Sequence, residues 1–348
     1  MRRGCWAARS LACAVLVAGG TGTRAQQASA PSAQAFYKGR TIIISIGFAT
    51  GGTYDLYARL IARHIGRHIP GNPLIVAQSM PGAGSLKAAN YIYAVAPRDG
   101  SALGIASQTV AMEEALGNPG VAYRSASFTW IGRAAAVVEV MVGWRGSSVA
   151  SIRDALAMDV PIATTGPGSP SEGYPRLLNG AAGTRFKIIS GYPASGDCLL
   201  ALERREVEAA FTPWSALQAT KADWLAAGKV NLLVQGTLER SAELPDVPSV
   251  VELGRTDEDR ALLAFFASSA EIGRALLAPP ELPAERTVAL RAAFEATFAD
   301  PEFLADAARA GAALSPLAGE KLQALVARTM TAQPAMIERM KAMLRVGR

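Results

Sequence analysis

Cysteine and histidine are scarce in this chain. Of 348 residues, three are cysteine and two are histidine. Cys5 and Cys13 lie at the extreme N-terminus, so Cys198 is the lone thiol of the remaining chain and no internal disulfide can staple it. His64 and His68 share one predicted helix, and no Gly-x-Ser-x-Gly elbow occurs, which removes a Ser-His-Asp hydrolase. Their four-residue spacing is that of a metal pair. No glutamate lies between them as in His-Glu-x-x-His, however, and no third ligand is suggested, so a solvated or packed helix face is the plainer reading. Cys198, at the start of a predicted helix, reads either as a thiol of lowered pKa or as a small buried hydrophobe. Long apolar runs are missing too. The uncharged stretch Leu11–Ala18 is far shorter than the roughly 20 residues that span a bilayer, and no later run reaches that length without charges or turn residues.

What the N-terminus does contain is Arg2, Arg3 and Arg9, then that apolar stretch, then Thr23-Arg24-Ala25. This order predicts a signal peptide over residues 1–25 and a mature protein outside the cytoplasm. Arg2-Arg3 fits a twin-arginine signal poorly, and Ser10-Leu11-Ala12 before Cys13 is a poor lipoprotein box. The four arginines of the leader carry most of the basic balance, and their removal lowers the formal net charge from +6 to +2. A basic chain therefore does not imply a nucleic-acid partner, and none is expected. Residues 26–35, "QQASAPSAQA", are small and polar without periodicity and predict a flexible leader, with order beginning near Phe36.

Beyond it, "TIIISIGF" (41–48) is a continuous β-branched run, as expected of a strand covered on both faces. Tyr57, Ile61, Ile65 and Ile69 then recur at four-residue spacing, an amphipathic helix lying on that strand's sheet. The pattern repeats through "LIVAQ" (74–78), the turn "SMPGAGS" (79–85), a helix to about residue 96 and "SALGIAS" (101–107). Strand, Gly-rich turn, helix, strand is the grammar of a doubly wound α/β lobe. A second set follows: "VVEVMVGW" (137–144), a short helix at 151–157, "PIATTG" (161–166), the turn "PGSPSEG", a helix to about 182, "FKIISGY" (186–192), a helix at 195–205, "VEAAF" (207–211) and "VNLLVQG" (230–236). After "ELPDVPSVVELG" (243–254) strand signals fade and helices dominate. These are expected to pack back on the first lobe, giving lobe 1 as 36–136 and 237–348 and lobe 2 as 137–236.

"GFATGGTYDLYARL" (47–60) places two glycines between strand and helix. A phosphate loop needs Gly-x-x-x-x-Gly-Lys-Ser/Thr and a dinucleotide loop Gly-x-Gly-x-x-Gly, and this stretch has neither. No lysine follows Gly52, and Asp55 would aim a negative charge at a phosphate. The underlying physics still favours an anion, because the first N–H groups of a helix lack internal acceptors and a Gly-rich approach exposes them. A carboxylate suits such a site. The plain alternative is a turn made by Gly51-Gly52 with Thr53 capping the helix. The same device appears three times, at Thr50-Gly51-Gly52-Thr53-Tyr54-Asp55, at Pro81-Gly82-Ala83-Gly84-Ser85 and at Thr165-Gly166-Pro167-Gly168-Ser169, each after a predicted strand. In open α/β sheets such turns face the ligand crevice. Tyr54, Tyr192 and Trp214 are the candidate aromatic lining.

These segments, with "NPLIVAQSMPGAGSLKAANYIYAVAPRDGSALGIAS", "TTGPGSPSEGYPRLLNG" and "SGYPASGDCLLALERREVEAAF", resemble the substrate-binding receptors of tripartite tricarboxylate transporters, also called Bug or TctC-like receptors. The resemblance covers most of the chain beyond the leader. It implies a type II-like periplasmic binding protein, two doubly wound lobes with a ligand cleft between them. Such a receptor closes on a small carboxylate and delivers it to the large and small membrane subunits of a transporter, with no catalysis, cofactor or metal, and as a monomer. In the family the first and third of the turns above grip the carboxylate, and the Pro-Gly-Ala-Gly turn is shared. The chain departs from the family at Ser190–Gly196, where a common basic residue is missing, and at Ser79-Met80, where many members have asparagine-arginine. Fewer cations point to a mono- or dicarboxylate with an apolar or aromatic body rather than a tricarboxylate. A sensor that presents its closed form to a signalling partner, and an exported hydrolase, are the competing readings.

Overall fold

Strand β1 (Thr41–Ile46) organises the first sheet, pairing in parallel with β2 (Leu74–Ser79) on one side and β3 (Ala102–Ile105) on the other. The computed structural model describes residues 32–344, so the predicted signal peptide 1–25 and leader residues 26–31 lie outside it. Leader residues 32–35 need correcting. Helix α1 (Ala33–Tyr37) begins there, Ala33 N–H donates to Glu285 at 2.7 Å, and Phe36 and Tyr37 are buried.

The first sheet has the order β11-β4-β10-β3-β1-β2, with β4 at Thr129–Arg133, β10 at Ala275–Ala278 and β11 at Leu317–Ala318. The sequence predicted neither β4 nor β10. Strand β10 reads Ala-Leu-Leu-Ala, a helix-forming composition, and becomes a strand because it fills an antiparallel slot between β3 and β4 with all four residues buried. One face of this sheet is covered by α2 (Thr53–Ile65), where Tyr57, Ile61 and Ile65 are buried as their spacing predicted, and Ile69 is buried just beyond. The other face carries α3 (Leu86–Ala94) and, beside β4, residues of α4 (Val110–Ala115). Ile43 of β1 stays 40 % exposed, because β2 is an edge strand and its outer face is not covered as the apolar run suggested.

The chain crosses at residues 134–138 into a second sheet of order β7-β6-β8-β5-β9. Its strands are β5 (Glu139–Trp144), β6 (Val160–Thr164), β7 (Phe186–Ser190), β8 (Ala209–Pro213) and β9 (Val230–Gln235). Between them run α5 (Asp154–Ala157), α6 (Pro170–Ala181), α7 (Ser195–Glu203), α8 (Trp214–Thr220) and α9 (Ala222–Ala226). Strand β5 runs antiparallel to both β8 and β9, and β10 runs antiparallel in the first sheet, so each doubly wound lobe carries a mixed sheet.

The C-terminal helices do not all return to the first sheet. Helices α11 (Ala284–Ala299), α12 (Pro301–Arg309) and α13 (Gly319–Thr329) pack on it, through Leu290, Phe294 and Phe303 on one face and Leu322 and Val326 on the other. Asp300 caps α12 through Glu302 N–H, as the Asp-Pro start predicted. Helices α10 (Asp257–Ala267) and α14 (Pro334–Leu344) instead bury Leu262, Phe266, Ile337 and Met340 against Tyr174 and Leu177 of α6. The crossing segments lie side by side at the back: Val137 N–H donates to Ala270 at 3.1 Å, Ala134 N–H to Arg274 at 2.9 Å, and Arg274 N–H to Ala135 at 2.8 Å. No helix among the described residues is long and apolar enough to cross a membrane.

Candidate functional site

Between the two sheets lies a narrow cleft lined by residues of both. Three helix starts reach it: Gly52 and Thr53 of α2, Pro170 and Ser171 of α6, and Ala194 and Ser195 of α7. None of the three caps satisfies its helix in the usual way. Gly52 is the N-cap of α2 and has no side chain, so Thr53 is the first helical residue and not the cap that its sequence position suggested. Ser169 precedes α6 but turns its hydroxyl back to Gly166 O at 2.7 Å. Ala194 precedes α7 and has no capping group, though its own N–H is held by Asp197 at 3.0 Å. The starts of α2 and α7 therefore leave backbone N–H groups at the cleft and that of α6, opened by Pro170, leaves the one of Ser171, each with a positive dipole end, the arrangement that accepts an anion.

The candidate residues fall in different places, with Gly52 and Thr53 at the boundary of two cavities. Gly52, Thr53, Tyr54 and Thr165 line the cleft. Gly51, at φ +86°, makes the left-handed turn before α2, and its N–H donates to Asp55 Oδ2 at 3.1 Å. Asp55 Oδ1 accepts from Arg59 at 2.8 Å, so both its oxygens brace the turn. Gly51 and Asp55 face a neighbouring cavity that Gly52, Thr53 and Ser195 also border and that carries Arg59 and Arg63, while Thr50 is exposed on the surface. Pro81–Ser85 supports the site without lining the cleft. Ser85 is buried and its Oγ accepts from Ser107 N–H at 3.0 Å. Gly84 lies against the turn Gly166–Ser169 of the opposite lobe so closely that a Cβ there would meet Pro167 O at 2.1 Å. Thr109 Oγ1 donates to Gly168 O at 2.5 Å beside it. The two turns thus meet each other, backbone to backbone. Tyr192 is half-buried against the second-sheet core, and Trp214 donates its indole N–H to Glu243 at 2.8 Å beside another surface cavity. Neither lines the cleft.

The aromatic wall consists of Phe48, Tyr54 and Phe211. Tyr54 stacks on Phe48 with ring centroids 4.5 Å apart, and the guanidinium of Arg274 covers the Tyr54 ring at 4.0 Å. The Tyr54 hydroxyl accepts from Gln108 N–H at 3.0 Å, and burial raises its pKa. Arg274 and Glu139, which the sequence reading missed, form the polar floor. Arg274 donates to Gln108 Oε1 and to Thr53 Oγ1, both at 3.1 Å, and stands 3.9 Å from Glu139. Burial pushes the Glu139 carboxyl up to about 7, with Arg274 opposing the shift. A signal was present, clearer for Glu139 than for Arg274. Glu139 is the one charge in the apolar run 134–144, and Arg274 directly precedes the uncharged run "ALLAPP", and charges in such settings are buried and paired.

Two other candidates resolve away from the cleft. Cys198 is buried, and burial pushes its thiol up to about 12, which contradicts an activated thiol. His64 and His68 pair with Asp306 and Asp300, each at 2.9 Å.

Comparison with known proteins agrees with this architecture. The profile of the tripartite tricarboxylate transporter family receptor, TctC, matches residues 57–341. A relative in Agrobacterium vitis, described as "UPF0065 protein in the TAR-I ttuE-ttuC' intergenic region", is 29 % identical over 277 residues, 77 % of this chain and 74 % of that protein. Among solved structures, the periplasmic binding protein BugD superposes with a TM-score of 0.69 at 22 % identity, over 89 % of this chain and 99 % of that one. Rpa4515 of R. palustris, solved with adipate, gives 0.68 at 20 % identity over 88 % and 98 %. MatC of Rhodopseudomonas palustris, solved with bound malate, gives 0.65 at 22 % identity over 88 % and 99 %. These likenesses establish the fold as the two-lobed, type II-like form of periplasmic binding proteins. With most of its length matched by the family profile, the chain belongs to the tripartite tricarboxylate transporter receptor family.

Proposed function

We propose that this protein is a non-catalytic periplasmic receptor that closes its two lobes on a small carboxylate and delivers it, as a monomer, to the large and small membrane subunits of a transporter. The lobes divide near residue 136, as first expected, and near residue 272 rather than 236, because α10 packs on α6 before the chain recrosses to the first sheet. One observation carries the reading: three helix starts, from α2, α6 and α7, bring uncapped N–H groups to one cleft. A carboxylate accepts several such bonds at once, and they strengthen in a site shielded from water. The proposed grip comes from Gly52 and Thr53 on one side and from Thr165 and the N–H groups of Ser171 and Ser195 on the other, Pro170 having no N–H to donate. Thr50, Gly51, Asp55 and the turn Pro81–Ser85 hold the first jaw, and Gly166–Ser169 the second. The ligand's body lies on Phe48, Tyr54 and Phe211, in the role first expected of Tyr192 and Trp214. That two proteins of the same fold were solved with adipate and malate supports the ligand class. Ligand bridging the lobes favours the closed state by its differential affinity for it.

The test is a thermal-shift screen of the protein lacking its leader against mono-, di- and tricarboxylates. A ligand at 100 times its Kd adds about 2.7 kcal/mol of stability, a readily visible shift. Bound ligand recovered unchanged by mass spectrometry separates reception from hydrolysis. Silence from every carboxylate would sink the ligand class.

A further inference from the structure

The carboxylate on the cleft floor has no role in the clamp described above. Glu139 opens β5 directly after the crossing segment, and its side chain is 5 % exposed, yet it lines the cleft. Its nearest cation, Arg274, stands at 3.9 Å, beyond hydrogen-bond reach, and no hydrogen bond joins the Glu139 carboxylate to any described residue. Arg274 is already engaged, with two donors on Gln108 and Thr53 and its face on Tyr54. Buried polar groups in folded proteins are nearly always satisfied, so an open acceptor on a cleft wall marks the place of a donor that arrives with the ligand.

We infer that Glu139 is a specificity-determining residue of this cleft, accepting a hydrogen bond from a hydroxyl or ammonium group carried by the bound carboxylate. The inference rests on the carboxylate reading given under Proposed function. Its physical basis is complementarity. The helix starts offer only donors, which suit the ligand's carboxylate, whereas Glu139 in its ionised form offers only acceptors. A second carboxylate on the ligand would face Glu139 with like charge in a site largely shielded from water, where repulsion is strong. The favoured class is therefore a hydroxy- or amino-monocarboxylate over a plain dicarboxylate or a fatty acid of the same length. The polar site rejects the analogue that lacks the donor, because Glu139 is then left unpaired.

Ionisation gives a second handle. Burial holds the Glu139 carboxyl at about 7, and the charged or titratable groups facing it are Arg274, Tyr54 of α2 and Tyr174 of α6. Both tyrosines have their pKa raised by burial, so they stay neutral around pH 7 and Glu139 alone of these groups changes charge there.

The experiment measures Kd by calorimetry at pH 8 for butyrate, 2-hydroxybutyrate, 4-hydroxybutyrate, 4-aminobutyrate and succinate, and for the matching six-carbon set. Wild type and Glu139→Gln are compared. Wild type is expected to bind its best donor-bearing compound at least tenfold more tightly than the unsubstituted acid, and the dicarboxylate no better than that acid. In Glu139→Gln the advantage of the amino acid collapses at least tenfold and the dicarboxylate gains at least fivefold. In wild type the donor advantage shrinks as the pH falls from 8 to 5.5 and Glu139 takes up a proton. This last arm needs no variant and decides the matter if Glu139→Gln does not fold. If no compound binds wild type, the carboxylate reading falls and this inference with it. If the acids bind but the donor-bearing ones gain less than threefold, or the order and pH profile survive Glu139→Gln, the receptor reading stands and the role of Glu139 is overturned.

Discussion

Replacing Gly84 with alanine should force apart the contact between the two facing turns and weaken ligand binding. Gly84 has φ +60°, and a Cβ built there meets Pro167 O at 2.1 Å, with Gly168 C and Ser169 N both at 2.9 Å. A relaxed carbon–oxygen contact needs about 3.3 Å, so the turns must separate by about an ångström. The opposing atoms are backbone and cannot swing aside. The turn that carries them is tied internally by Ser169 Oγ on Gly166 O at 2.7 Å and to the first lobe by Thr109 on Gly168 O at 2.5 Å. The left-handed conformation alone costs alanine about 1 kcal/mol, and overpacking of this kind adds about 1–3 kcal/mol. If the binding-competent state requires this contact, the overpacking cost alone enters affinity and Kd rises by roughly fivefold to a hundredfold, at about 1.4 kcal/mol per factor of ten. Gly39→Ala supplies the control, because Gly39 has φ +70° with nothing within 4 Å of its Cβ position. That variant should lose about 1 kcal/mol of stability and keep its affinity. Calorimetry with the best ligand from the screen reads the affinity, and denaturant melts read the stability. A Gly84→Ala protein that binds within threefold of wild type would refute the reasoning, since the turn contact would then not belong to the ligand-bound state.

The Glu139 carboxyl lies above its ordinary range in the folded state, so between about pH 4.5 and 7 the native protein binds more protons than the unfolded chain and this group's stabilising contribution is lost as the pH rises through 7. Arg274→Met removes the group that opposes that shift, and at pH 8 it should cost about 3–5 kcal/mol, the penalty of an abandoned buried charge. The deficit should shrink at pH 5.5, and denaturant melts showing an equal deficit at both pH values would count against an ionised Glu139. Tyr54→Phe leaves the buried Gln108 N–H without its 3.0 Å acceptor and should cost about 1–3 kcal/mol in the same assay. Cys198, with its thiol pushed up to about 12 and buried, should resist a thiol reagent in the native protein and react fully in denaturant. Rapid native labelling would show that α7 opens.

Much of the architecture was legible in the order of residues, for local reasons. The β-branched run at 41–46, the four-residue spacing of Tyr57, Ile61 and Ile65, and the Asp300-Pro301 start each state their element through steric and solvation preferences that act within a few residues. The Gly-rich turns announced themselves in the same way, because a left-handed backbone such as that of Gly51 demands glycine wherever it occurs. Which of these turns line the cleft and which only press against each other was not legible. Pro81–Ser85 and Thr50–Asp55 look alike in sequence, and only the packing of one lobe on the other sends Gly84 to Pro167 and Gly52 to the cleft wall. Strand β10 was hidden because four small aliphatic residues carry no period, and its slot between β3 and β4 exists only after the chain has returned from the second sheet. The pairing of Arg274 with Glu139 spans more than a hundred residues and two lobes. Glu139 was visible as a lone charge in an apolar run and Arg274 as a charge at the edge of one, but proximity through space, and the burial that moves the carboxyl toward neutrality, are properties of the tertiary structure alone.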